Sequence, residues 1–62
     1  MAAHVTVSGK VYEGSGRIDE LMQSWGFYPD SYLYIMEGVP VPSDTVVSDG
    51  EKVDAIRVAS GG

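Results

Sequence analysis

The sequence predicts a small α+β domain, a mixed sheet of four to five strands with one helix packed on one face. Three observations lead there. Segments rich in β-branched residues stand near both ends, the apolar residues between Arg17 and Trp25 switch to a helical period, and tight-turn dipeptides separate the remaining extended runs. A chain of 62 residues makes one domain. At that size about 60% of the surface of the unfolded chain is buried, which leaves no room for a deep catalytic cleft.

His4 to Ser8 alternates, with Val5 and Val7 on one face and His4, Thr6 and Ser8 on the other, the pattern of a half-buried strand. Gly9-Lys10 turns the chain into a short second strand at Val11-Tyr12, and Gly14-Ser15-Gly16 ends it. Ile18, Leu21, Met22 and Trp25 then fall at i, i+3, i+4 and i+7, one stripe of a helix. Asp19 and Glu20 suit the positive end of its dipole, and Gly26 sits where a left-handed cap is expected. Trp25 and Phe27, on or beside the stripe, are expected in the core.

Pro29 prevents the helix from resuming, and Tyr32 to Met36 reads as a third strand. Glu37-Gly38 turns into Val39-Pro40-Val41, which its prolines confine to an edge. Ser43 to Ser48 is a connection with room for a helical turn, and Asp49-Gly50 leads into a last strand over Lys52 to Ala59. A helix-containing connection permits the first and last strands to lie parallel at the centre of the sheet. This order of elements is the β-grasp plan, with a domain over 1–59 and a short tail over 60–62.

Composition narrows the chemistry. The net charge of −5, with Lys10, Arg17, Lys52 and Arg57 as the only cations, argues against direct nucleic-acid binding. Without cysteine there is no thiol nucleophile, disulfide or thiolate zinc site. His4, the single histidine, has no partner with which to build a base and nucleophile pair. Asp49, Glu51 and Asp54 read as turn and surface residues rather than ligands, and Gly9, Gly14 and Gly16 lack the lysine and hydroxyl of a phosphate loop. No membrane-spanning run or signal segment is read, so a cytoplasmic protein that is not itself an enzyme and binds no metal or cofactor is expected.

The sequence finishes Ala59-Ser60-Gly61-Gly62. A carboxylate carried on two residues without side chains can enter a narrow channel where any Cβ would obstruct it. Ionised at neutral pH, it is a poor electrophile and needs activation from outside.

The whole chain resembles the ubiquitin-like sulfur carriers: the thiamine-biosynthesis carrier, the small subunit of molybdopterin synthase and the archaeal small modifier proteins. The matching stretches are Glu37-Gly38-Val39-Pro40-Val41-Pro42, similar to an Asn-Gly-x-x-Val-Pro hairpin, Asp49-Gly50-Glu51-Lys52-Val53, and the final Ala59-Ser60-Gly61-Gly62. Glu37, Glu51 and Ala55 depart from the pattern, the last standing where a larger aliphatic is usual. The resemblance implies that a ubiquitin-activating-enzyme-like adenylyltransferase, using Mg and ATP of its own, adenylates the Gly62 carboxylate. A sulfur donor then converts it to a thiocarboxylate for thiamine, molybdopterin or tRNA thiolation, or a lysine of a target protein captures it as an isopeptide. The alternative is a non-covalent β-grasp interaction module.

Strand parity suggests where such a partner docks. If Val53 and Ala55 face the helix, Ile56 and Val58 face away from it. With Leu33 and Ile35 inward, Tyr34 and Met36 would join them. Tyr34, Met36, Ile56 and Val58 are therefore the expected docking patch, with Ser60 and Gly61 as the tail that carries Gly62.

Overall fold

The computed structural model describes residues 2–58. The elements in order are β1 (Ala3–Val7), β2 (Lys10–Gly14), β3 (Gly16–Arg17), α1 (Ile18–Ser24), a 3₁₀ turn (Pro29–Ser31), β4 (Tyr32–Met36), β5 (Val39–Val41), β6 (Val46–Val47) and β7 (Lys52–Arg57). Five strands form one mixed sheet in the order β2-β1-β7-β4-β5. β1 and β7 run parallel, with Val5 beside Val53 and Val7 beside Ala55. This is the β-grasp arrangement.

Both hairpins turn on two residues. Ser8 and Gly9 have φ of 51° and 81°, and Glu37 and Gly38 have 51° and 78°. Positive φ at both central positions matches the twist of the flanking strands, and glycine adopts it without the cost of a Cβ. The turn is thus centred on Ser8-Gly9, one residue earlier than expected, and β2 starts at Lys10 and runs to Gly14.

Arg17, the residue before α1, gives no side-chain cap. The orphan N–H groups of the first turn are met from outside instead: those of Ile18 and Asp19 donate to the carbonyls of Thr45 and Ser43, at 2.9 and 2.8 Å. At the other end Gly26, at φ 91°, closes the helix. Its N–H donates to Gln23 and that of Phe27 to Met22, at 3.0 and 2.9 Å, the two bonds of a Schellman motif.

The segment 43–48 holds no helical turn. Val46–Val47 pairs antiparallel with Gly16–Arg17 as a second, two-stranded sheet. Pairing wins because it buries Val47 against the core while the same stretch supplies the carbonyls that cap α1.

Ala3, Val5 and Val7 of β1, Val53 and Ala55 of β7, Tyr34, Val47, and Ile18 and Met22 of α1 are the buried core. Leu21, Trp25 and Phe27 pack against it, as the helical stripe requires. Tyr12 stacks on Trp25 with ring centroids 5.1 Å apart and meets Phe27 edge-on at 5.4 Å. β7 ends at Arg57, and the expected boundary between domain and tail at residues 59–60 lies outside the described residues, together with Gly61 and Gly62. No helix among the described residues is long and apolar enough to cross a membrane.

Candidate docking face

The sheet has an inner face under α1 and an outer face that no other element of the described residues covers. Register decides which residues stand on each. Val53 and Ala55 point inward, so Ile56 points outward and is 51% exposed. β4 pairs antiparallel with β7, setting Tyr34 opposite Ala55 and Leu33 opposite Ile56. Opposed residues share a face.

Tyr34 therefore points inward and is 2% exposed, and Met36, two residues on, packs against the core. This corrects the expected docking patch: Tyr34 and Met36 do not belong to it, and Leu33 and Ile35 take the outward positions. The reason is size. Ala55 leaves room on the inner face that a phenol ring fills, and the Tyr34 hydroxyl donates to the Pro29 carbonyl at 2.7 Å, so the one polar atom of the ring is satisfied. Burial, helped by the negative charge of Asp30, pushes the Tyr34 phenol up to about 12. Ala55 calls for a large residue opposite it, but every residue from Tyr32 to Met36 is large, so the choice of Tyr34 follows only from the register of β4 against β7.

The outer face thus carries Leu33, Ile56 and Val58 as exposed apolar residues, with Ile35 beside them and Pro40 opposite Ile35 on β5. Val58 lies just past β7, and its N–H donates to the Ser31 carbonyl at 2.9 Å, which fixes the chain at that point. Asp54, on the same outer face, stands opposite Ile35 and beside Thr6 of β1. Toward the far end of β7 the face becomes charged. His4, Thr6, Val11, Lys52, Asp54, Glu37 and Gly38 line an open groove of about 700 Å³.

His4 lies on this outer face with its Nε2 3.7 Å from a carboxylate oxygen of Glu13, in keeping with a surface strand residue. Glu51 accepts from the Ser48 N–H and hydroxyl at 2.7 and 3.2 Å, which closes the turn before β7. Among the described residues no three side chains of the metal-ligating types converge.

No family model matches the chain. A protein of Archaeoglobus fulgidus described as uncharacterized is 39% identical over 46 residues, covering 74% of this chain and 67% of the relative. The two belong to one family. That kinship carries membership and no activity.

Proposed function

We propose that the protein is a carrier, a substrate of group-transfer enzymes, whose Gly62 carboxylate is adenylated and then converted to a thiocarboxylate. The observation that carries the reading is the position of β7. It lies between β1 and β4, tied to both neighbours, and the chain passes from it through Val58 into a segment ending Gly61-Gly62. A strand paired on both sides is a rigid base for a short reactive extension, and four residues span at most about 14 Å. The exposed Leu33, Ile56 and Val58 lie beside that exit, where a partner gripping the domain also reaches the tail.

The partner is an adenylyltransferase of the ubiquitin-activating type, which brings Mg-ATP and the catalytic groups. An oxygen of the Gly62 carboxylate, free as it stands or after processing, attacks the α-phosphorus of ATP, and pyrophosphate leaves. A sulfur nucleophile at the oxidation level of hydrosulfide then adds to the acyl carbonyl and AMP departs. Small glycines admit the tail to that site without steric obstruction.

Intact-mass analysis of the protein recovered from its native cell tests this. A species with one carboxyl oxygen replaced by sulfur is expected. Lysine-linked conjugates in its place assign the adenylate to protein modification, and finding only unmodified chain removes the carrier reading in favour of a non-covalent module.

A further inference from the structure

The five-stranded sheet has two edges, and they are built differently. On β5 the closing pair of the hairpin is Met36 with Val39, so Ile35 and Pro40 form a pair without mutual hydrogen bonds, and the nitrogen of Pro40 faces the free edge. Pro42, the next residue of that parity, also lacks an N–H. That edge is blocked to further pairing. On β2 the closing pair is Val7 with Lys10, so Thr6 with Val11 and His4 with Glu13 are the pairs without mutual bonds. The His4 N–H confirms the phase, since it donates across to Glu51 on the β7 side at 2.8 Å. The N–H and C=O groups of Val11 and Glu13 therefore point out of the sheet. Among the described residues β2 pairs with β1 alone; it contains no proline and leaves Val11 55% exposed.

We propose that β2 is an interface with a second copy of this chain, pairing antiparallel to the β2 of its partner about a two-fold axis at Tyr12. Register follows by elimination. Glu13 opposite its own copy would oppose like charges. Val11 opposite its own copy would set Glu13 against Gly9, whose left-handed turn conformation, φ 81°, takes it out of the extended edge. Val11 opposite Glu13 uses every outward group, and two-fold symmetry repeats the pair.

This register brings the two Tyr12 rings together in a non-hydrogen-bonded pair, the closer of the two cross-strand geometries, where aromatic pairs are favourable. Each ring already stacks on Trp25, so the interface joins two aromatic stacks on the inner face. Lys10 falls opposite Gly14, over which Leu21 and Trp25 of the same chain already pack, so its long stem lies along those side chains rather than over the glycine. With the other edge blocked by proline, the pairing closes at two copies instead of propagating. A contact made by one short strand is smaller than a stable dimer interface, so the dimer is weak and forms as concentration rises.

Sedimentation and amide exchange on the full chain, from micromolar to millimolar concentration, test the proposal. Self-association is expected, with the Val11 and Glu13 amides gaining protection in parallel. Val11→Pro, which repeats the device of Pro40 at a position with no bond to β1, should abolish it. Val11→Lys sets an ammonium opposite the partner Glu13 and should tighten the dimer roughly 2- to 10-fold, while Val11→Glu should weaken it. A monomer at every concentration with both amides unprotected overturns the proposal. So does a dimer that survives Val11→Pro or that is lost in Leu33→Asp, which would place the contact on the outer face, and weakening by Val11→Lys overturns the register.

Discussion

Leu33 and Ile56 stand directly opposite each other on the outer face of the antiparallel β4–β7 pair, 44% and 51% exposed. Two apolar side chains left in water side by side at the end of the central strand, close to Val58, form an exposed apolar pair suited to docking. Ile56→Asp, and equally Leu33→Asp, should leave the thermal melting curve close to that of the parent, because neither side chain belongs to the core. If the protein is the proposed carrier, each should weaken its complex with the proposed activating enzyme by roughly 10-fold or more, since a carboxylate would be desolvated in the contact. Calorimetric titration reads the loss. Unfolding of either variant would mean that the outer face is not free.

Tyr34 should behave in the opposite way. Its ring fills the space over Ala55, so Tyr34→Ala opens a core cavity and should cost about 3–5 kcal/mol, as for other large aromatic truncations. That is most of the stability of a domain this small. Denaturant unfolding is expected to show little or no folded baseline for this variant. Tyr34→Phe keeps the packing and loses only the bond to the Pro29 carbonyl, about 0.5–1.5 kcal/mol.

The contrast between these two positions shows what the sequence could and could not disclose. The alternation of Val5 and Val7, the spacing of Ile18 to Trp25 and the X-Gly turns each depend on neighbours in the chain, and strands, helix and central parallel pair follow from them. Which face of β4 is buried depends on its register with β7, more than fifteen residues away. Tyr32-Leu33-Tyr34-Ile35-Met36 is apolar at every position, so it contains no alternation to break the tie. The small β3–β6 sheet escaped for a similar reason: two-residue strands carry no period, and only the need of α1 for carbonyls at Thr45 and Ser43 fixes them.

The buried phenol gives the domain a pH limit on the alkaline side. Tyr34 ionises at about 12 in the folded state against about 10 when unfolded. Between those values the unfolded chain has released a proton that the folded chain still holds, so raising the pH favours unfolding. The contribution is fully present below pH 10 and is lost through pH 12. Urea midpoints should therefore fall more steeply in that window for the parent than for Tyr34→Phe. Equal slopes for the two proteins would show that other groups govern alkaline unfolding.

The tail can be tested apart from the domain. The N–H of Val58 is anchored to Ser31, and among the described residues the core draws on none beyond Ala55, so removing Gly62 or replacing it with a bulky residue should leave melting temperature and circular dichroism unchanged. The carrier reading requires the same changes to abolish adenylation. Deletion moves the carboxylate back by one residue, about 3.3–3.6 Å of reach, and a near-attack geometry tolerates far less. A bulky side chain instead obstructs the channel that two glycines pass. Pyrophosphate release with ATP and the activating enzyme measures the outcome. Adenylation that persists without Gly62 would sink the carrier reading, while its loss in a fully folded variant would assign the reaction to this carboxylate.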